Sequence, residues 1–200
     1  MALENNSPDW INIIGKYNKA SAAKSWWQIA NTLIPYLGLW VLMYYSLGIS
    51  YWLTLGLAVI AAGFLVRIFI IFHDCGHGSF FRSSKANEIV GIIMGMLVFT
   101  PYHRWHYEHM VHHRTVGNLD KRGMGDVYTM TVEEYKNSSP TKRFWYRMYR
   151  NPVLLLLFVP FFLFTIVYRL PGGDRSRKKD LQTHLTTIVL KIGRASCREG

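Results

Sequence analysis

The sequence predicts an all-α fold in which multi-pass membrane helices carry a cytoplasmic helical cap. Three observations support this fold class: long apolar blocks, basic residues concentrated beside those blocks, and a dense group of histidines after the second block. The 200 residues include 23 lysines and arginines and 12 acidic residues, which gives a formal net charge of +11. Because the basic residues flank apolar blocks, membrane orientation explains this charge better than nucleic-acid binding does.

Two apolar blocks predict two membrane spans. Residues 29–47 contain no charged side chain, and residues 53–72 contain only Arg67. At about 1.5 Å per residue, each block extends roughly 30 Å, which is the thickness of the hydrocarbon region of a bilayer. The alternative is a pair of buried helices in a soluble α protein. We interpret Arg67 as an anchor that extends toward the cytoplasmic end or pairs with an acidic group.

Basic residues on both sides of this predicted hairpin indicate its orientation. The positive-inside rule places both flanks in the cytoplasm. The two cysteines, Cys75 and Cys197, are too few for a disulfide framework and fit a reducing compartment. We therefore predict a cytoplasmic N-terminal segment over residues 1–28 and a membrane domain over residues 29–190. The flanking basic residues are Lys16, Lys19, Lys24, Arg82, Lys85, Arg104, Arg114, Lys121 and Arg122.

The later part of the chain has shorter apolar stretches. Residues 89–99 are too short to cross a bilayer and predict a segment in the cytoplasmic interface. A short helix is predicted to begin at Val132. Residues 152–168 contain Pro160, and we predict a re-entrant or interfacial segment, because a crossing would place the basic residues 175–179 outside.

The C-terminal residues do not fit this pattern. Residues 192–199 resemble the translation of a common sequencing-library adapter, and they interrupt an apolar stretch that begins near His184. We interpret residues 191–200 as a non-native tail and exclude them from the fold. The membrane domain is therefore expected to be incomplete, and the natural protein to be longer.

Seven of the eight histidines lie between residues 73 and 113. Helical spacing places His73 and His77 one turn apart, and it predicts a second helix whose five histidines follow one face in steps of three and four residues. Neutral imidazole binds iron, copper, nickel and zinc. One tetrahedral zinc needs only three or four ligands, so a set of up to seven favours two metals. The second group comprises His103, His106, His109, His112 and His113.

Two of these runs resemble known motifs. His-Asp-Cys-Gly-His at 73–77 and His-Met-Val-His-His at 109–113 match the first two histidine boxes of the integral-membrane fatty acid desaturases. The residues around them, 72–79 and 117–120, look most like bacterial members of the ω-6 (Δ12) type. The resemblance covers residue 32 to about residue 190.

The resemblance implies an enzyme that holds two iron ions mainly with histidines and inserts a cis double bond into an acyl chain. Its substrate would be an acyl-lipid or acyl-thioester, and it would use O₂ and a small electron-donor protein, ferredoxin or cytochrome b5-like. The implied metal ligands are His73, His77, His109, His112 and His113. In addition, the carboxylates of Asp74 and Glu108 could accept the distal N–H of ligating imidazoles, and His103 and His106 could support the site or the entry of electrons.

The resemblance also implies an integral, multi-pass protein of the bacterial inner membrane with cytoplasmic histidine boxes. In this family a third box follows a further pair of spans, and this chain ends before it. We therefore expect the chain as written to lack activity. Two alternatives stay open: a histidine-box hydroxylase or carotenoid-modifying oxygenase, and a non-catalytic membrane metal-binding protein.

Overall fold

A computed structural model describes Ile13, residues 19–122 and residues 127–169. Every regular element within these residues is a helix, which confirms the all-α prediction for this part of the chain. The chain divides into two compact units, Met1–Leu97 and Val98–Gly200. Most of the N-terminal segment that precedes residue 19, the stretch that begins near His184 and the tail 191–200 lie outside the described residues.

Over residues 19–97, the first unit contains three helices: α1 (Ala22–Ser46), α2 (Tyr51–Gly76) and α3 (Ser84–Leu97). Helix α2 packs against both α1 and α3. Helix α1 begins seven residues before its apolar block, because residues 22–28 contain no proline or glycine that would stop a helix. Of the described helices, α2 alone is long and apolar enough to cross a membrane. Helix α1 is as long but contains more polar side chains in its first half, so the predicted hairpin of two spans is supported for one helix.

Polar contacts join α1 to α2. The hydroxyls of Ser46 and Thr54 lie 2.7 Å apart beside the turn. Further along, Arg67 Nη2 donates to Asn31 Oδ1 at 2.8 Å, and the guanidinium carbon lies 5.7 Å from the centre of the Phe64 ring. Among the described residues, the side chain of Arg67 therefore bonds to an amide, and no acidic side chain pairs with it there. An amide oxygen satisfies the donor but leaves the positive charge in place.

The connection between α2 and α3 is fixed by a buried asparagine. Asn87 Oδ1 accepts from the backbone N–H of Phe81 at 2.8 Å, and Asn87 Nδ2 donates to the carbonyl of the same residue at 2.7 Å. Ser25 Oγ donates to the carbonyl of Phe80 at 2.5 Å. These three bonds hold the segment that immediately follows the first histidine pair. Helix α3 has 14 residues and a length of about 21 Å, which agrees with a segment too short to span.

The second unit contains helices α4 (Tyr102–Thr115), α5 (Val132–Lys136), α6 (Pro140–Tyr149) and α7 (Val159–Thr165). The short helix predicted from Val132 is confirmed. It begins with a capping box, in which Thr131 Oγ1 accepts from the N–H of Glu134 at 3.1 Å and Glu134 Oε2 accepts from the N–H of Thr131 at 2.7 Å. Short 3₁₀ turns lie at Leu119–Lys121 and Val167–Arg169.

The apolar segment before Tyr168 is helical on both sides of Pro160. The proline lies in the first turn of α7, where its missing N–H removes little, and the preceding turn Leu154–Phe158 widens into a π-helix. The apolar helical part, Leu154–Leu163, is 10 residues long. This length agrees with the re-entrant or interfacial prediction, because a straight crossing needs about 20 residues.

Candidate metal centre

The first histidine pair lies at the C-terminal end of α2. The rings of His73 and His77 are one helical turn apart, with centroids 4.5 Å from each other. The helix ends at Gly76, with His77 as its C-cap, because Gly78 adopts φ +66° and its N–H bonds to the carbonyl of Cys75 at 3.0 Å. The N–H of the next residue, Ser79, bonds to the carbonyl of Asp74 at 3.1 Å. These two bonds form a Schellman motif, so Gly78 terminates α2 and thereby fixes the backbone position of His77.

Asp74 is the acidic neighbour of this pair. Its Oδ1 atom lies 3.3 Å from Nδ1 of His73. A histidine that binds a metal through Nε2 carries its proton on Nδ1, and a carboxylate at that nitrogen fixes the tautomer and the orientation of the ring. The contact predicted for Asp74 is therefore present, and its role toward a metal stays a prediction.

The second pair lies in the last two turns of α4. His109 Nε2 and His113 Nε2 are 3.1 Å apart, and the two rings are nearly perpendicular. Two nitrogens that each lie about 2.1 Å from one metal, at bond angles between about 90° and 110°, are about 3.0–3.4 Å apart. The spacing of this pair thus fits two ligands on a single metal ion. The donor set, neutral imidazole, suits a transition metal.

Aromatic side chains position the histidines of α4. Trp105 is buried and stacks on His109 with a centroid distance of 4.3 Å and an interplanar angle of 16°. One turn earlier, Tyr102 stacks on His106 at 5.9 Å. Neither aromatic residue was predicted to support the site, although each precedes its histidine by four positions, the spacing that brings side chains together on a helix.

The five histidines of α4 do not share one face. Each step of three residues turns the helix by about 300°, so His103 lies about 120° around the axis from His109. Among the described residues, the histidines that could hold a metal are His73 and His77 in the first unit and His109 and His113 in the second. Within each pair, the ligand atoms lie within 4.8 Å of one another. The ligand role of His112 and the supporting roles of His103 and His106 stay predictions.

Glu108, a residue of α4, contacts Arg104 of the same helix and Tyr168. Its Oε1 accepts from Arg104 Nε at 3.0 Å, and its Oε2 lies 3.5 Å from the hydroxyl of Tyr168. Arg104 Nη1 also donates to the carbonyl of Val167 at 3.4 Å, and its guanidinium carbon lies 5.3 Å from the centre of the Tyr168 ring. Burial, with the nearby Glu108 carboxylate, raises the pKa of Tyr168, so the phenol remains a donor. The contacts of Glu108 within the described residues therefore go to Arg104 and Tyr168 and not to an imidazole.

Comparison with known proteins decides the family. A family model described as fatty acid desaturase matches residues 50–192, which include both histidine pairs. The chain belongs to the fatty acid desaturase family. No solved structure matches this desaturase chain.

Several relatives support this membership. A fatty acid desaturase of Bacillus subtilis (strain 168) is 48% identical over 170 residues, which is 85% of this chain and 48% of the relative. An sn-1 oleoyl-lipid 12-desaturase of Synechocystis is 32% identical over 66% of this chain and 36% of its own length. An sn-1 acyl-lipid omega-3 desaturase (ferredoxin) of Nostoc is 30% identical over 63% of this chain and 35% of its own length. The desaturase chain thus spans about half or less of the length of these relatives.

Proposed function

We propose that the protein is a membrane-bound acyl-lipid desaturase whose active site holds two iron ions with His73, His77, His109, His112 and His113. The observation that carries this proposal is the presence of two helix-borne histidine pairs, each with close ligand atoms, inside the stretch that the desaturase family model matches. Family membership favours desaturation over a hydroxylase, a carotenoid-modifying oxygenase and a non-catalytic metal-binding protein.

The side chains around the pairs would set the geometry of the ligands. Bound iron would supply the O₂-dependent oxidation that removes two hydrogens from adjacent methylenes, chemistry that no side chain provides. Asp74 would hold the proton of His73 on Nδ1 and leave Nε2 for the metal. Trp105 would restrict rotation of the His109 ring by stacking on it. These contacts would reduce the reorganisation needed when iron binds.

The names of the relatives support a proposal for the substrate and the electron donor. Proteins of Synechocystis and Nostoc are named for oleoyl-lipid and acyl-lipid substrates, and the name of the Nostoc protein specifies ferredoxin. We propose an acyl-lipid substrate, O₂ as oxidant and a ferredoxin-like donor for this protein. A double bond formed in a lipid tail requires a site that the tail can enter from the bilayer.

The site would lie at the cytoplasmic ends of a multi-pass arrangement in the bacterial inner membrane. Helix α2 is long and apolar enough to cross, and its first histidine pair lies at its C-terminal end, beside the basic residues Arg82 and Lys85. By the positive-inside rule, this end is cytoplasmic. Helix α1 would be the other span of the hairpin. Electrons could then arrive from the cytosol while the acyl chain approaches through the membrane.

Iron content provides the test, with desaturation as a second measurement. In a version of the full length of the relatives, His109→Ala and His113→Ala should each remove most of the bound iron and the formation of unsaturated product. His184→Ala, a histidine outside both pairs, is the matched control and should retain both. Full iron loading in His109→Ala would contradict the ligand assignment even if activity were lost.

A further inference from the structure

Helix α6 has one face fixed to the protein and one face exposed. The backbone N–H of Met130 donates to the hydroxyl oxygen of Tyr146 at 3.1 Å, and the N–H of Tyr128 donates to that of Tyr149 at 3.2 Å. The ring of Tyr146 also lies 5.8 Å from the ring of Tyr135. These three contacts set the rotation of α6 about its axis.

The opposite side of α6 is apolar and exposed. At about 100° per residue, Phe144 and Met148 lie about 160° around the helix from Tyr146, and Trp145 lies at the edge of this face, about 60° from Met148 and about 100° from Tyr146. The exposed fraction is 65% for Trp145 and 50% for Phe144. A group of large apolar side chains exposed on one face indicates a surface that contacts another apolar environment, either a membrane or a partner protein.

The basic residues of α6 indicate what kind of surface contacts its apolar face. Residues 138–151 contain no acidic residue, and their basic residues are Lys142, Arg143, Arg147 and Arg150. A short helix with a tryptophan-containing apolar face and only basic charges is typical of segments that lie in the interface of an anionic bilayer. An acidic protein would satisfy the basic residues but would not require the exposed Phe144, Trp145 and Met148 to face one way.

The segment that follows α6 has the same exposed apolar character. Asn151 Oδ1 accepts from the N–H of Val153 at 3.0 Å and from that of Leu154 at 3.3 Å, so the next helical segment begins immediately after α6. Elements Leu154–Phe158 and α6 are in contact. Exposed apolar side chains continue along this segment: Leu156, Leu157, Phe158, Phe161 and Phe162.

We propose that α6 is an interfacial helix that binds an anionic lipid surface, with Phe144, Trp145 and Met148 in the acyl-chain boundary and the basic residues at the headgroup phosphates. This proposal rests on the membrane placement given under the proposed function and needs neither iron nor catalysis. It defines a lipid-binding surface in addition to the metal centre. The helix would also fix the depth of the apolar segment that follows it.

The test uses a fluorophore attached to single cysteines in the 200-residue chain, in lipid nanodiscs, with Cys75 and Cys197 replaced by alanine. Trp145→Cys reports the apolar face, and Arg143→Cys, about 160° around the same helix from Trp145, is the matched control. Val59→Cys, on an exposed side of α2, reports membrane insertion. Nanodiscs contain either phosphatidylcholine alone or phosphatidylcholine with phosphatidylglycerol, and lipids with a nitroxide near the headgroup serve as quenchers.

The label at 145 should be quenched at least about threefold more strongly than the label at 143, and phosphatidylglycerol should increase this quenching. Weak quenching at 145 in both lipid mixtures, with Val59→Cys quenched by deep nitroxides, would overturn the proposal and favour a protein partner. Equal quenching at 143 and 145 would contradict the assigned face. Equal quenching in both lipid mixtures would contradict the role of the basic residues. Failure of Val59→Cys to be quenched would refute the membrane placement itself, and with it the interfacial helix.

Discussion

Removing the side chain of Asn87 should destabilise the connection that follows the first histidine pair. Asn87→Ala deletes the bonds of 2.8 Å and 2.7 Å to the backbone of Phe81, and both residues are buried. Each lost bond costs about 1 kcal/mol net, and the stranded N–H and carbonyl add about 1 kcal/mol more, which gives a loss of about 3 kcal/mol. Because about 1.4 kcal/mol corresponds to a factor of ten, local opening should become about 100-fold more frequent.

The buried thiol of Cys75 reports this opening. Its side chain lies in the last turn of α2 and is 1% exposed, so a maleimide reacts with it only when the structure opens. In a Cys197→Ser background, the labelling rate of Asn87→Ala should exceed that of the unsubstituted protein by about two orders of magnitude. Ser83→Ala, which removes the helix-capping bond of 3.3 Å to the N–H of Ala86, is the control and should change the rate by less than about tenfold, because the loss of such a cap typically costs about 1 kcal/mol. Equal rates for the two variants would refute the assignment of Asn87 as the main fixing residue.

Three further predictions concern helix ends and side-chain contacts. Gly78→Ala should destabilise the end of α2 by about 1–2 kcal/mol because Gly78 has φ +66°. Gly56→Ala, inside α2 with no atom within 4 Å of the added Cβ, should be neutral or stabilising by up to about 1 kcal/mol. The rate of Cys75 labelling compares the two variants, and equal effects would be inconsistent with the Schellman motif. The hydrogen bonds that Arg122 donates, with the Thr131 N–H, lower the pKa of Glu134 from 4.5 to about 2, so the stability from this contact is complete above about pH 4.5 and is lost as pH falls toward 2. The hydrogen-exchange protection factors of residues 127–136, which correct each rate for the intrinsic pH dependence of exchange, should fall over that range, and Glu134→Gln should abolish this fall. Arg104→Ala should destabilise the contact with residues 167–168 by about 1–3 kcal/mol, and Tyr168→Phe, which loses one 3.5 Å bond, by less than about 0.5 kcal/mol; protease cleavage within residues 150–169 measures both, and the reverse order would disprove the central role of Arg104.

The sequence was sufficient for the features that depend on local spacing. Apolar blocks predicted the positions of α1 and α2, and helical periodicity predicted that His73 and His77 share one face. The same reasoning failed for His103, because repeated steps of three residues move around a helix of 3.6 residues per turn. Pro160 lies where a π-helical turn ends and α7 begins, so the proline disturbs the regular helix there without ending the helical segment.

Contacts between distant residues could not be predicted from spacing. Arg67 and Asn31 are 36 positions apart, and Arg104 and Val167 are 63 apart. Their pairing depends on how helices pack, and neither member carries a sequence pattern that identifies its partner. The contact of Asn87 with Phe81 could not be predicted either, although the two residues are close in the chain. The side chain of Asn87 takes the place of backbone hydrogen bonds to Phe81 because Phe81 is buried, and the sequence does not show that burial.

The guanidinium of Arg104 joins the second histidine helix to the residues that end the apolar segment. It contacts Glu108 in α4 together with the carbonyl of Val167 and the ring of Tyr168. The contacts of Arg104 therefore couple the ordering of α4 to the ordering of residues 167–168, and thermodynamic linkage makes that coupling reciprocal. Any ligand that stabilises α4 will also tighten the end of the apolar segment, and a lipid that orders this segment will raise the affinity of α4 for its ligand by the same factor.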